Sequence, residues 1–154
     1  MRNMRRKDRE LPREAALEVI DKSAYSVMAT VNADGSPYCI PISPVREGEW
    51  LYFHSALEGQ KIDNLRASSR VCISCVGGQE AIPGKFALKF ESAVVMGTAK
   101  ELSDREEKLH ALRLLSEHYA PDNMAAFDKA IEKEYALTSV WKIHIDEISG
   151  KANR

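Results

Sequence analysis

Apolar and polar residues alternate along much of this chain. In Thr138–Ile145, Trp141, Ile143 and Ile145 alternate with Lys142 and His144, which predicts a strand with one buried and one wetter face. Strand character recurs in Tyr25–Val31, Pro37–Val45, Trp50–Phe53, Arg70–Val76 and Ala87–Glu101. Turn chemistry separates these runs. Asn32-Ala33-Asp34-Gly35 is a hairpin signal, Glu47-Gly48-Glu49 is a second turn, and Gly77–Gly84 reads as a loop in which Gly77-Gly78 is a turn. Gly97 marks a bulge or bend within its strand. Pro41 and Pro44 place their strand at an edge, at a bulge or where pairing stops, because proline cannot donate to a ladder.

Helical spacing is confined to short segments. Ala16, Leu17 and Ile20 follow Pro12. Ile62 and Leu65 follow Gly59. Leu109, Leu112 and Leu115 follow a capping box at Ser103-Asp104-Arg105-Glu106. Beyond Pro121, Phe127, Ile131 and Tyr135 are spaced by four. Six or seven strands in hairpin-linked runs, with short flanking helices, predict a mainly β fold, an antiparallel barrel in one domain over 1–154. Residues 1–10 form a charged arm ahead of it.

Composition narrows the function classes. Twenty-two basic against 23 acidic residues give a net charge of −1, so no electrostatic footprint for nucleic acid or an acidic membrane exists. No apolar run approaches the roughly 18 residues of a membrane-spanning helix, and MRNMRRKDRELP lacks the apolar stretch of a signal peptide. A cytoplasmic location is the expectation. Cys39, Cys72 and Cys75 fit reduced thiols. Cys72 and Cys75 match C-x-x-C, but strand residues three apart point to opposite faces, so neither a redox pair nor a zinc site is expected. His110 and His118 lie eight apart on a helix and read as surface or packing residues, and no metal is expected. No G-x-G-x-x-G after a strand, no P-loop and no G-x-S-x-G elbow is present.

Trp50–Arg66 carries the candidate chemistry. Its strand ends at His54, Ser55 and Ala56, Gly59 turns the chain, and a helix begins at Gln60. A strand feeding a turn and a helix N-terminus offers free backbone N–H groups and the positive end of a dipole to an anion. Lys61 in that first turn either meets a phosphate or is a solvated lysine on an ordinary connector. His54 is either a functional group or a hydrogen-bonded histidine at a strand end.

The stretch YFHSALEGQKIDNLR, with RVCIS behind it, resembles the flavin-binding core of the pyridoxamine 5′-phosphate oxidase-like split-barrel family, in particular the nitroimidazole-resistance branch. RRKDRE at Arg5–Glu10, the segment from Tyr25 to Pro44 and the closing IHIDEISGKA agree, so the resemblance spans nearly the whole chain. It implies an FMN-binding split barrel acting as a homodimer, with the cofactor site at the subunit interface and the arm packed on the barrel or across the dimer. It implies that Lys61 holds the flavin phosphate, that Ser55 and Gly59 border the phosphate and ribityl chain, and that His54 takes part in the flavin's chemistry. Ser92 would touch the flavin ring, and Trp141 would pack on the flavin of the other subunit or remain a core residue. Gln60 stands where many relatives have arginine, which removes one phosphate-binding charge. The implied function is an FMN-dependent oxidoreductase acting on a small molecule, with nitroaromatic compounds as the substrate class. A nicotinamide donor would have to reach the flavin in an open cleft. The alternative is a flavin or haem carrier or sensor without catalysis, and a barrel that has lost its cofactor is a third. The ending IHIDEISGKANR lacks the arginine- and histidine-bearing segment of pyridoxamine 5′-phosphate oxidase proper, so that reaction is not expected.

Overall fold

The computed structural model describes all residues, 1–154. The charged arm makes a single 3-10 turn at Lys7–Arg9 and then a two-residue strand, β1 (Glu10–Leu11). Pro12 caps α1 (Arg13–Lys22), which buries Ala16, Val19 and Ile20. The strands that follow are β2 (Ser26–Val31), β3 (Pro37–Ile42), β4 (Val45–Glu47) and β5 (Trp50–Ala56). Then come α2 (Gln60–Ala67), β6 (Arg70–Ala81), β7 (Leu88–Glu101), α3 (Arg105–Tyr119), α4 (Phe127–Glu134) and β8 (Thr138–Asn153).

All strand pairs are antiparallel, in one eight-stranded sheet of order β3-β2-β6-β7-β8-β5-β4, with β1 added to β8. The sheet curls around a core but does not close, which is an open split barrel. The strand count exceeds the expected six or seven because β1 and the three-residue β4 are too short to show a period. The arm packs on the barrel, with Glu10 opposite Lys151 and Leu11 opposite Gly150.

Three boundaries differ from expectation. Residues 77–81 continue β6 instead of forming a loop, and the register shift between Val76 and Gly78 makes Gly77 part of a bulge, not a turn. The last strand runs on to Asn153, because β7 pairs with it through Phe90 opposite Asn153. The α3 cap is Asp104, not Ser103. The Asp104 carboxylate accepts from the Glu107 N–H at 2.9 Å, so the box is shifted by one residue. Pro41 lies in β3, an outermost strand of the sheet, where its missing N–H faces no ladder partner. Gly97 sits at the register shift between β7 and β8.

Two apolar clusters result. The main core joins Val19 and Ile20 to Met28, Phe53, Ile73, Val95 and Ile143 inside the curl of the sheet. The second lies on the other side of β5 and β8, where Tyr52 and Val140 pack under Ala111, Leu112 and Phe127 of the helices. β5 is therefore covered on both faces, which explains its run of Leu51, Tyr52 and Phe53, all buried.

Candidate functional site

β5 turns its alternate residues to opposite faces. Leu51 and Phe53 enter the main core, while Tyr52 and His54 face the helices. Packing ends at His54, and two cavities meet there. The smaller, about 250 Å³, is walled by Pro41, Ile42, Ser43, His54 and Lys61. The larger, about 500 Å³, opens from Ser43 and His54 under α3 and α4.

Gly59 starts the helix that brings Lys61 to the smaller cavity. Its φ of +136° lies in the region that side chains avoid, and nothing stands within 4 Å of where a Cβ would be. Its carbonyl accepts from Ile62 and Asp63 at 2.9 and 3.1 Å. The N–H groups of Gln60 and Lys61 have no intrahelical acceptor, as at any helix start. Lys61 is half-buried, and desolvation alone lowers its pKa, with no carboxylate beside it to offset the loss of water. A partly desolvated ammonium in the first turn of a helix combines positive charge with amides that lack an intrahelical acceptor.

His54 is exposed to solvent along one edge but recessed between the cavity walls. Desolvation first, and the Lys61 charge second, lower its pKa below the ordinary 6.5. At neutral pH it is an uncharged imidazole, with one nitrogen that donates and one that accepts. The structure thus brings His54 and Lys61 to one cleft, with Gly59 at the start of the helix that carries Lys61. Gln60 borders the same turn but directs its side chain elsewhere, donating to Oδ1 of Asn32 at 2.8 Å. Ser55 is half-buried on the opposite face of β5 from His54, across from Ser139. Ser92 lies on β7 opposite Val76 and Lys151 and does not line the cleft. Trp141 is 2% exposed in the main core and donates its indole N–H to Ser139 at 2.8 Å. Of the two alternatives open for Trp141, this placement agrees with the core residue: its strand turns it inward beside Phe53.

Sequence reasoning missed Ser43, Asn32 and Tyr119. Ser43 lies in the link between β3 and β4, where no period operates. Asn32 reads as a turn residue, yet its Oδ1 also accepts from Asn64 Nδ2 at 2.8 Å. Tyr119 donates its hydroxyl to the Pro44 carbonyl at 2.6 Å and so fixes the end of α3 over the cleft. His110 bonds Glu47 at 2.8 Å, and no group of three or more His, Cys, Asp or Glu side chains is arranged to hold a metal ion. No helix is long and apolar enough to cross a membrane.

An open antiparallel barrel whose strand-to-helix turn presents a lysine and free amides beside a histidine defines a class of cofactor-binding split barrels. The family model described as pyridoxamine 5′-phosphate oxidase matches residues 12–152, and the chain belongs to that family. A solved structure from Bacteroides thetaiotaomicron VPI-5482, named provisionally as a 5-nitroimidazole antibiotic resistance protein, is 27% identical, with a TM-score of 0.78 over 94% of this chain and 90% of that one. An FAD-binding protein from Mesorhizobium loti is 24% identical, with a TM-score of 0.69 over 95% of this chain and 98% of that one. The flavocytochrome of Azotobacter vinelandii reaches a TM-score of 0.83 at 21% identity, over 99% of this chain and 72% of that one. These last two share the fold. No curated protein matches the chain.

Proposed function

We propose that this protein is a flavin-dependent oxidoreductase that binds FMN in the cleft between His54 and Lys61 and reduces small nitroaromatic compounds. The observation that carries the reading is Lys61, an ammonium without a counter-ion, beside the free N–H groups that open α2. A dianionic phosphate supplies the missing charge and accepts those donors. The residues present therefore fit a phosphorylated flavin. When bound, the flavin would carry the electrons. The chain's own part is to anchor the phosphate at Lys61, to let the backbone approach at Gly59 and to set an uncharged His54 beside the ring. His54 can then donate or accept one hydrogen bond at a ring nitrogen without adding charge. The likeness to the Bacteroides thetaiotaomicron protein supports nitroaromatic compounds as the acceptor class. With no dinucleotide fingerprint in the chain, a reduced nicotinamide donor would enter the open cleft directly.

A homodimer completes the reading. The outward face of the sheet carries two cross-strand rows of small and apolar residues, Ala29-Cys72-Met96 and Val27-Ser74-Val94. Such a face fits a second copy. Ser92 lies beside these rows on β7 and would approach a shared flavin there.

The test is the protein as purified. A yellow protein whose flavin absorbance bleaches on reduction, and which turns over a nitroaromatic with a reduced nicotinamide, supports the proposal. Protein that takes up no FMN overturns it. Bound flavin that never turns over would leave a carrier.

A further inference from the structure

The larger cavity is not used by the phosphate anchor. Its floor is the helix-facing side of β5 and β8, at His54 and Thr138, and its roof is α3 and α4. The second apolar cluster packs tightly as far as Tyr52 and Val140 and then stops, leaving about 500 Å³ walled by Leu112, Leu115, Phe127 and Ile131. Ser43 and His54 stand where this cavity joins the Lys61 pocket, and the other polar groups, Ser116, Glu134, Thr138 and the hydroxyl-bearing Tyr119 and Tyr135, are spread around the walls.

We propose that this chamber binds a neutral aromatic compound, its ring held between α3 and α4 and its polar substituent turned toward His54 and Ser43. The assignment as the electron acceptor's chamber rests on the flavin-dependent reading above; the binding itself does not. The volume lies within the range of small-molecule sites and suits one or two fused rings. Phenylalanine and leucine walls reward an apolar ring and desolvate any charge placed among them. No cationic side chain lines the chamber itself and Glu134 opposes a carboxylate, while the Lys61 ammonium of the adjoining pocket is matched by the anion bound there. The convergent polar end at His54 and Ser43 gives a neutral acceptor such as a nitro group its hydrogen-bond partners.

Ala130 is an exposed position on α4 that also lines the chamber, so its substitution alters the cavity without opening the core. The full chain, Ala130→Phe and Ala130→Asp are titrated with 4-fluoronitrobenzene by fluorine NMR in saturating inorganic phosphate, which fills the Lys61 pocket, with 4-fluorobenzoate as the charged comparison. Saturable binding of the nitro compound, weakened at least about tenfold by each variant, is expected, with 4-fluorobenzoate about tenfold weaker on the unaltered chain. FMN titrations should match among all three proteins. Binding that neither variant changes overturns the chamber, and equal binding of the carboxylate overturns its preference for neutral compounds. A chain that binds the probe in the chamber but takes up no flavin overturns the flavin-dependent reading alone. A chain that reduces the probe with an unchanged KM in Ala130→Phe overturns the chamber alone.

Discussion

Gln60 donates its side-chain amide to Oδ1 of Asn32 at 2.8 Å, which ties the first turn of α2 to the tip of the β2–β3 hairpin. The same oxygen receives Asn64, whose amide also reaches Thr30 at 3.0 Å. Gln60 thus braces the turn that presents Lys61, and the charge near the cleft is left to Lys61. Lys61→Ala should weaken FMN binding about 10- to 100-fold, the range of a hydrogen bond to a charged group. Gln60→Ala should change binding by less than about threefold and lower stability by about 0.5–1.5 kcal/mol. Fluorescence titration with FMN and chemical denaturation separate the two, and the reverse ranking would make Gln60 the phosphate ligand.

His54 should titrate below the ordinary 6.5, because desolvation and then Lys61 disfavour its charged form. Since burial is the larger cause, Lys61→Ala should raise its pKa only part of the way back. The folded chain then binds fewer protons than the unfolded chain beneath the ordinary value. Stability is unaffected by His54 above that value and declines as the pH falls through it toward the folded one. Imidazole proton NMR against pH, with His54→Gln to assign the resonance, measures the shift directly. A value at or above the ordinary one would mean that the cleft is fully hydrated.

Gly97 and Gly78 both lie in the long β6–β7 ribbon but should differ sharply. A Cβ on Gly97 would stand 2.6 Å from Cγ2 of Ile143 and 2.7 Å from the His144 carbonyl, while one on Gly78 meets nothing within 4 Å. Gly97→Ala should cost about 1–3 kcal/mol through overpacking, and Gly78→Ala should be neutral or slightly stabilising. Thermal and urea unfolding of the pair decide this.

Met96 lies in the outward row with Ala29 and Cys72, half-buried in a single chain. Met96→Lys should leave the monomer's fold intact, shift sedimentation from dimer to monomer and weaken FMN binding if the site is shared. A dimer that survives the substitution would place the interface elsewhere.

The turn at Asn32–Gly35, the edge position of Pro41, the bulge at Gly97 and the divergence of Cys72 and Cys75 were all legible, because each follows from local backbone chemistry. Cys75 is buried while Cys72 is half-buried on the outer face, as a spacing of three on a strand requires. The cleft was legible in part. Gly59 and Lys61 sit in a strand-turn-helix unit that sequence alone exposes. What brings Ser43 beside His54 is the curl of the sheet, and what raises the chamber wall is the insertion of α3 and α4 between β7 and β8. Neither leaves a periodic trace. Trp141 was ambiguous because its strand alternates regularly on both sides of the sheet, and both sides are covered.

β8 is hydrogen-bonded to β5 along its first half, to β7 along nearly its whole length and to β1 near its end. It gives Ile143 and Ile145 to one apolar cluster and Val140 to the other. The two apolar clusters are thereby sewn to a common seam, and loosening that one strand would unpack both at once. The helices that roof the chamber add no backbone hydrogen bond to the sheet, so the floor beneath them keeps its own ladder.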